Sequence, residues 1–268
     1  MQRGSVGLGV LLAAAALALG ACGEDDSAGG AAAADSGVDL VKDGEITTCT
    51  HLPYQPFQFE RGGEIVGFDV DMIDLVAKKL GVEQSIVDTP FEGIQSGEDL
   101  NARKCDIAAA AMTITPEREQ KIAFSSPYFD ANHALLVEKG SGIESLEDLG
   151  GKTIGVQSGT TGKLYTEKNA PDDVQIKDYE DLALELSSVK SGQIPAAVND
   201  IPVLLDYVKQ NPELDVAAQF DTGEQYGFGM KKGTSQKLEQ AVNDVIEQAK
   251  ADGTYDKLYE KWFGAKPE

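Results

Sequence analysis

The sequence predicts an α/β fold of two lobes, each a mainly parallel β-sheet covered by helices. The first observation is that short β-prone runs alternate with amphipathic helical runs, an order that produces a parallel sheet with helices on its faces. The second is that this alternation starts again after Phe129. The third is length, because the stretch from about Gly44 to Gly264 is long enough for two hydrophobic cores.

The first half begins with a β-prone run at 46–50 and continues with a helix at 69–80. The apolar residues of this helix share one face, and Gly81 follows where a C-terminal cap is expected. A strand at 85–88 and a helix that opens at Pro90 come next. The residues of the apolar face are Val70, Ile73, Val76, Ala77 and Leu80.

A buried, alanine-rich strand is predicted at 106–111, followed by a short helix. Thr115 is its expected N-cap and Pro116 its first residue. Arg118 falls in the first turn, where a guanidinium beside the free helix amides suits a planar anion such as a carboxylate. A surface arginine that pairs with a neighbouring glutamate is the alternative.

The second half repeats the alternation and ends in an amphipathic helix closed by Gly253. The apolar face of that helix consists of Leu238, Val242, Val245, Ile246 and Ala249. The other predicted segments are strands at 134–138, 152–157, 196–198 and 226–230, and helices at 146–149, near Lys163 and at 181–191.

The first residues have the pattern of an export signal. A short positive start at 1–3 precedes an apolar run at 6–19, which is shorter than a membrane span and typical of the core of a signal peptide. The run ends in Leu-Gly-Ala-Cys at 19–22, which resembles the lipobox of bacterial lipoproteins, whose cysteine is diacylated. We predict a signal peptide at 1–21 and a lipidated Cys22 on the outer face of the cytoplasmic membrane. An ordinary signal peptide with a chance cysteine is the alternative.

Composition bounds the rest of the chain. Residues 22–43 are rich in Gly, Ala, Ser and Asp and predict a flexible tether after the lipidated cysteine. The net charge of −22 argues against nucleic acid as a partner, because its phosphates would be repelled. His and Cys residues show no metal-ligand spacing, so we predict neither a metal nor a cofactor.

Two cysteines remain if Cys22 is lipidated. In an oxidising compartment an even pair favours a disulfide, here between Cys49 and Cys105. Cys49 lies late in one predicted strand and Cys105 just before another. The sequence therefore leaves a disulfide and two buried free thiols both open.

Polar side chains follow the predicted strands in both halves. Tyr54 follows the first strand, Thr113 and Arg118 follow the third, and Thr161 and Asp200 follow strands of the second half. Ligands of open α/β sheets bind beyond the carboxyl ends of strands and between domains. The sequence therefore predicts a binding cleft between the lobes.

Seven segments carry a family resemblance. They are YQPFQF, GFDVDMIDLVAKKLG, MTITPEREQKIAFSSPYF, LEDLGGKTIGVQSGTTG, AAVND, YGFGMKKG and DGTYDKLYEKWFG. In this order they resemble the bacterial solute-binding proteins of family 3, the amino-acid-binding receptors of ABC importers. The resemblance implies a type II periplasmic-binding-protein fold whose lobes are joined by two hinge strands. It puts the first lobe at 44–131 plus 227–268 and the second at 132–226.

The resemblance also implies a site for a zwitterion. Arg118 would clamp the α-carboxylate of a free amino acid, with hydrogen bonds from Thr113 and Thr161, and Asp200 would accept from the α-ammonium. The other expected contacts are aromatic walls at Tyr54 and Phe91, main-chain contacts at Ala110 and Ala111, and contacts from Thr160 and Gln157. For the two aromatic walls, ordinary core packing is the alternative. For Asp200, the alternative is that it caps the segment that follows it.

His51 departs from the family pattern. It stands where many members carry an aspartate that meets a cationic or amide side chain. A lysine or arginine ligand would lack that partner, so we predict a neutral polar or acidic amino acid. Support of its own loop is the alternative role for His51.

The sequence thus predicts a monomeric substrate-binding lipoprotein that delivers an amino acid to an ABC permease and touches the membrane through its lipid anchor only. An exported enzyme that resembles the cyclohexadienyl dehydratases, which share this fold, is the alternative. Such an elimination needs a general acid over the leaving group. Asp200 is the main acid expected in the cleft, and the ammonium site already uses it. We therefore predict a binding protein that is not an enzyme.

Overall fold

The computed structural model describes residues 37–233 and 236–267, whose elements belong to one compact unit, Ala33–Glu268. The predicted signal peptide at 1–21, Cys22 and most of the tether at 22–43 lie outside the described residues. The strands are β1 (Glu45–Thr50), β2 (Phe59–Arg61), β3 (Glu64–Val66), β4 (Glu83–Asp88), β5 (Ile107–Ala108), β6 (Ala123–Phe124), β7 (Phe129–Glu138), β8 (Thr153–Gln157), β9 (Gln175–Tyr179), β10 (Ala196–Asp200), β11 (Leu214–Tyr226) and β12 (Gly229–Met230). The helices are α1 (Phe68–Leu80), α2 (Phe91–Gln95), α3 (Glu98–Asn101), α4 (Pro116–Lys121), a 3-10 helix (Leu146–Leu149), α5 (Thr161–Asn169), α6 (Leu182–Lys190), α7 (Ile201–Gln210), α8 (Gln236–Asp252) and α9 (Thr254–Phe263).

The first sheet has the strand order β4-β1-β5-β12-β6. β1 runs parallel to β4 and β5, with Ile46 opposite Gln84 and Thr48 opposite Ile107. β12 returns from the far end of the chain and is antiparallel to both β5 and β6. α1 and α8 pack against each other, and the apolar faces predicted for both helices are buried. We call this sheet with the β2–β3 hairpin and α1–α4, α8 and α9 the first lobe.

The second sheet has the order β11-β7-β10-β8-β9. β8 is parallel to β9 and β10, whereas β7 is antiparallel to β10 and β11. α5, α6 and α7 pack on this sheet, and we call the whole the second lobe. Both sheets are mixed, with the parallel strands in the part where helices connect successive strands. The predicted α/β class with two helix-covered sheets is confirmed.

The chain passes between the lobes twice. It leaves β6 at Phe124 and enters β7 at Phe129, and it returns from Tyr226 of β11 to Gly229 of β12. Phe129 and Tyr226 are paired across the β7–β11 ladder, and their rings stack with centroids 5.7 Å apart. The two connections therefore lie side by side.

A glycine fixes the loop after β1 against α1. Gly67 has a φ of +148°, and a Cβ at this position would lie 2.0 Å from the carbonyl oxygen of Phe57, so no side chain fits. The amide of Asp69 then donates to the same carbonyl at 3.0 Å. Loop 51–58, which carries Tyr54, is thereby held beside the first turn of α1.

Some predicted elements have different limits in the structure. The strand predicted at 106–111 is confined to β5, and the chain turns at Ala111, whose φ is +47°. Thr115 is the N-cap of α4 and Pro116 its first residue, as predicted. The strand predicted at 226–230 is interrupted between β11 and β12, where the chain changes lobes.

The sequence pattern did not predict β11 or α9. The side chains of β11 are largely exposed or half-buried in alternation, so the strand lacks the continuous apolar run that marks a buried strand. α9 begins directly after Gly253, whose φ is +76°. That glycine was interpreted as the end of the last helix, because a left-handed glycine is a common helix terminator.

Contacts of the first lobe begin before the boundary predicted at residue 44. Asp39 accepts a hydrogen bond from the guanidinium of Arg103 at 2.6 Å, and the amide of Val41 donates to the carboxylate of Asp106 at 2.7 Å. Leu40 packs against the hydrophobic core. The end of the segment predicted as tether is therefore bound to the first lobe.

Cys49 of β1 and Cys105 before β5 are joined by a disulfide bond, one of the two arrangements that the sequence left open. Both residues are buried in the first lobe. β1 and β5 are neighbouring parallel strands, which brings the two cysteines together. The bond therefore ties β1 to the segment that enters β5.

The double variant Cys49→Ala/Cys105→Ala is expected to be less stable than the oxidised protein. The bond closes a loop with a sequence separation of 56 residues, and restricting the unfolded chain by such a loop stabilises by about 4 kcal/mol. Urea unfolding of the oxidised protein and the variant measures the difference. Wild-type protein treated with a reductant is the control, and unchanged midpoints in both would contradict the expectation.

Candidate functional site

A cleft between the two lobes brings together all the ligand-binding residues predicted from the sequence. The space between these residues is about 370 Å³, a volume that includes the part of the cleft open to solvent. The first lobe contributes His51, Tyr54, Gln58, Phe91, Ala110, Ala111, Thr113 and Arg118, and the second contributes Gln157, Thr160, Thr161 and Asp200. Gln58 is the one lining residue that the sequence did not predict.

Strand ends bring these residues to one place. Tyr54 lies in the loop after β1, and residues 110–113 follow β5. In the second lobe Gln157 ends β8 and Asp200 ends β10. The carboxyl ends of two strands from each lobe therefore face the same cleft, as the α/β architecture requires.

Arg118 is buried, with 5% of its surface exposed, which excludes the alternative of a surface arginine. Its Nη1 donates to the carbonyl of Thr113 at 2.7 Å and its Nη2 to the carbonyl of Gly159 at 2.9 Å. The guanidinium lies over Phe91, 5.6 Å from the ring centroid. Burial lowers the pKa of Arg118 to about 10, against the opposing effect of nearby carboxylates, so the group is charged at neutral pH. Two carbonyls use only part of its five N–H donors.

Asp69 of α1 holds the main chain at the floor of the cleft. Ala111 is in the left-handed region at a φ of +47°, which is unfavourable for a residue with a side chain. Its amide donates to Asp69 at 2.9 Å, and the Tyr128 hydroxyl donates to the other carboxylate oxygen at 2.7 Å. Burial raises the pKa of Asp69 to about 7, although both hydrogen bonds lower it. α1 thereby positions residues 110–113.

Asp200 is held by three side chains. Its Oδ2 accepts hydrogen bonds from the Tyr226 hydroxyl and from the Tyr54 hydroxyl, the latter at 2.6 Å, and its Oδ1 accepts from His133 Nδ1 at 2.7 Å. Burial raises the pKa of Asp200, but these donors and the charge of His133 outweigh it and lower the pKa. Asp200 stands at the N-cap of α7 without a side-chain capping bond. Capping is therefore not what its carboxylate does.

His133 lies between two carboxylates in the second lobe and is fully buried. Its Nε2 is 3.4 Å from Oε2 of Glu224, opposite the bond to Asp200. Burial alone lowers the pKa of His133, but the two carboxylates raise it to about 10. Burial raises the pKa of Glu224, but the side chains of His133 and Thr161 outweigh that effect and lower the pKa. At neutral pH a charged imidazole therefore joins two charged carboxylates.

In the described part of the chain, several polar contacts cross the cleft from one lobe to the other, and one of them joins the Tyr54 hydroxyl to Oδ1 of Asn199 at 2.7 Å. Tyr54 donates to Asp200, Arg118 donates to the carbonyl of Gly159, and the hydroxyl oxygens of Thr113 and Thr161 are 3.2 Å apart. The residues predicted to bind a ligand are thus among the residues that join the lobes in this conformation.

The other lining residues combine packing with exposure to the cleft. Tyr54 and Phe91 are each part of a hydrophobic cluster and also line the cleft. Thr160 caps α5 by accepting from the amide of Lys163 at 3.2 Å. His51 donates from Nδ1 to the carbonyl of Thr89 at 3.0 Å, so it supports its loop and lines the cleft at once.

Several residues that shape the site were not predicted from the sequence, among them Gln58, Asp69, His133, Glu224 and Tyr226. Gln58 had a local signal, because it is a polar residue between Phe57 and Phe59. His133 and Glu224 had none. They lie on β7 and β11, and only the pairing of those strands brings them together.

Comparison with known proteins identifies the family. The family model for bacterial extracellular solute-binding proteins, family 3, matches residues 46–265. The chain belongs to this family. The arginine-binding extracellular protein ArtP of Bacillus subtilis (strain 168) is 32% identical over 258 residues, which cover 95% of this chain and 96% of that protein.

Solved structures of family 3 relatives have the same fold. A structure of an ancestral arginine-binding protein bound to arginine is 42% identical with a TM-score of 0.78, and covers 82% of this chain and 99% of its own. One bound to glutamine is 41% identical with a TM-score of 0.78, with 83% and 99% covered. The ancestral amino acid-binding protein AncCDT-1, a precursor of cyclohexadienyl dehydratase, is 38% identical with a TM-score of 0.74, with 82% and 95% covered. The predicted family and the two-lobed type II fold are confirmed.

In residues 37–233 and 236–267, no group of three or more His, Cys, Asp or Glu side chains is placed to hold a metal ion. None of the helices formed by these residues is both long enough and apolar enough to cross a membrane.

The variant His133→Gln is expected to lose about 3 kcal/mol of unfolding free energy at pH 7, because Asp200 and Glu224 then lack the cation between them. Folding raises the pKa of His133 from 6.5 to about 10. The stabilisation by His133 is therefore complete below about pH 6.5 and is lost as the pH rises towards 10. Urea unfolding of both proteins between pH 6 and 10 should show a difference that shrinks with pH.

The matched control for this prediction is the double variant His133→Gln/Glu224→Gln. Removing one carboxylate together with the cation restores the local charge balance, so the double variant should recover part of the lost stability. A difference between wild type and His133→Gln that stays constant from pH 6 to 10 would contradict a charged His133.

Proposed function

We propose that this protein binds a free amino acid in the cleft between its lobes and delivers it to the membrane permease of an ABC importer. The observation that carries the proposal is that Arg118 and Asp200, a buried forked cation and a buried carboxylate, line the same cleft. A free amino acid presents the complementary pair of charges on one carbon atom. Family 3 membership and the arginine-binding relatives support the same ligand class.

The α-carboxylate is assigned to Arg118. Two of its N–H groups are fixed by the carbonyls of Thr113 and Gly159, which leaves donors of a rigid guanidinium for a planar anion. The hydroxyls of Thr113 and Thr161 lie side by side in the same part of the cleft. Charge-assisted bonds from a fixed guanidinium are about twice as strong as bonds between neutral groups.

The α-ammonium is assigned to Asp200. An ionised carboxylate has about four acceptor positions, and Tyr54, Tyr226 and His133 fill three of those of Asp200. One position on Oδ1 remains for a ligand donor. The lowered pKa of Asp200 keeps it ionised, so it can accept from an ammonium group at neutral pH.

Binding is coupled to closure of the lobes in this proposal. Arg118 belongs to the first lobe and Asp200 to the second, so a ligand that touches both is bound fully only when the lobes are together. Such a ligand shifts the population towards the closed form through that difference in contacts. The two connections at Phe129 and Tyr226 are the proposed hinges.

We expect a ligand whose side chain is neutral polar or acidic and carries no positive charge. Among the described residues that line the cleft, Asp200 is the one carboxylate, and it is already bound by three donors. A lysine or arginine side chain buried there would lack a partner of opposite charge, which is costly. Arginine, which relatives bind, is the competing ligand.

The alternative of a dehydratase-like enzyme is supported by the similarity to AncCDT-1. We propose that the protein binds its ligand without turnover, because the carboxyl group of Asp200 is ionised and elimination needs a protonated general acid. A general acid needs a raised pKa, whereas that of Asp200 is lowered. Glu185 has a pKa raised by burial to about 8, but it is fully buried and does not line the cleft.

Lipid attachment through Cys22 and a monomeric state complete the proposal. The apolar run and Leu-Gly-Ala-Cys at 19–22 support a lipid anchor. A single lipid anchor would keep the protein at the membrane surface where the permease lies and would leave the cleft accessible. The family is extracellular, which agrees with export.

Replacing Arg118 by alanine should weaken amino-acid binding roughly 100-fold, about 3 kcal/mol, because the α-carboxylate loses its charged partner. Isothermal titration with the amino acid that binds wild type measures the effect. Arg118→Lys keeps the charge without the fork and should fall between the two. Glu119→Ala changes an exposed residue of the same helix and is the control. Equal affinity of Arg118→Ala and wild type would contradict the site.

Replacing Cys22 by serine should release the protein from the membrane fraction of a bacterial host, because the thiol is the acylation point. Metabolic labelling with a radioactive fatty acid measures the modification directly. Wild type should be labelled and the variant unlabelled. Equal labelling of the two, or no labelling of either, would contradict a lipidated Cys22.

A further inference from the structure

We infer that the cleft selects a neutral ligand side chain that offers N–H donors, a carboxamide such as that of glutamine or asparagine. The inference rests on the amino-acid binding proposed above and adds the class of side chain. It depends on three buried acceptor atoms that line the cleft, on their hydrogen-bonding surroundings, and on the charges around them.

Three atoms of the cleft wall are buried without a hydrogen-bond partner in the described part of the chain. They are Nε2 of His51, Oε1 of Gln58 and Oε1 of Gln157. Gln58 is 1% exposed and Gln157 is 2% exposed. Buried polar atoms in native proteins are nearly always paired. Three such atoms in the wall of one cleft, supplied by both lobes, therefore mark the place where a ligand supplies the partner.

The surroundings of His51 and Gln58 make their free atoms acceptors. Nδ1 of His51 lies 3.0 Å from the carbonyl of Thr89, and a carbonyl can only accept, so the hydrogen is on Nδ1 and Nε2 of the neutral ring is an acceptor. The amide nitrogen of Gln58 faces the carbonyl oxygen of His51 at 3.5 Å. This orientation leaves the amide oxygen of Gln58 for the cleft.

These acceptors disfavour an acidic ligand side chain. A carboxylate carries only acceptors, so it would meet three acceptors and lose its hydration without compensation. The prediction of a neutral polar or acidic ligand is thereby narrowed to a neutral polar one. A primary carboxamide has two N–H donors on one nitrogen and can satisfy two acceptors at once.

The charges in the cleft also disfavour a cationic side chain. Gln58 and Gln157 carry no charge, and His51 offers Nε2 as an acceptor when its hydrogen is on Nδ1. The lining carboxylate, Asp200, is assigned to the α-ammonium. A guanidinium could use the three acceptors but would be buried without a counter-charge. Shape alone does not separate arginine from a neutral side chain of the same length, so the test must vary charge at constant shape.

The test compares isosteric ligand pairs. Protein freed of bound ligand by unfolding and refolding is titrated calorimetrically with L-glutamine against L-glutamate, and with L-citrulline against L-arginine. The neutral member of each pair should bind at least tenfold more tightly. Tighter binding of glutamate than of glutamine, or of arginine than of citrulline, would overturn the inference. So would binding restricted to an amino acid with an apolar side chain.

The same titrations separate this inference from the proposed function. Failure of all twenty amino acids and of citrulline to bind would overturn amino-acid binding itself. Binding of any of them with the opposite charge preference would leave amino-acid binding intact and overturn only the side-chain class.

Isosteric variants of Gln58 provide a second test. Gln58→Leu removes the acceptor at similar size and should weaken the binding of the neutral ligand about tenfold. Gln58→Glu adds a counter-charge in the same place and should raise the affinity for arginine relative to citrulline at least tenfold. Gln120→Leu, on the exposed side of α4, is the matched control. An unchanged arginine-to-citrulline ratio in Gln58→Glu would contradict a role of Gln58 in reading side-chain charge.

Discussion

The buried carboxylate of Asp200 is the interaction on which the architecture of the site depends. Its partners come from three places: Tyr54 from the loop after β1, Tyr226 from the strand that returns to the first lobe, and His133 from the strand that leaves it. A buried carboxylate without such partners would be strongly destabilising. Pairing this one carboxylate therefore fixes the positions of both connections between the lobes and of the loop after β1.

Charge balance explains how an acidic protein can offer a site to a zwitterion. The chain has a net charge of −22, yet the charged groups in and beside the cleft include two buried cations, Arg118 and His133, one buried anion, Asp200, and the half-buried anion Glu224. An amino acid with a neutral side chain adds no net charge to this set. The long-range field of the surface and the local field of the cleft are thus separate properties, because buried pairs are screened little and surface charges are screened by salt.

The first lobe holds its part of the site through covalent and backbone constraints. The disulfide between Cys49 and Cys105 ties β1 to the segment that enters β5, and the site residues extend from the carboxyl ends of those two strands. At Gly67 the loop that follows β1 packs closely against α1. Asp69 holds the segment that follows β5, because it accepts a hydrogen bond from the amide of Ala111. The rigidity of this lobe lets Arg118 keep a fixed direction, because its guanidinium is aimed by the carbonyl of Thr113.

The sequence by itself determined the family, the α/β class, the N-cap of α4 and the predicted ligand-binding residues that line the cleft, because each of these depends on local patterns or on residues that follow strand ends. Only the tertiary structure decided the partners of Asp200 and the hydrogen-bonding contacts that orient Gln58 and His51. His133 and Glu224 meet through the register of β7 with β11, and the hydrogen on His51 is placed by Thr89 from another strand end. Such contacts join residues far apart in the chain, so no local period or composition encodes them.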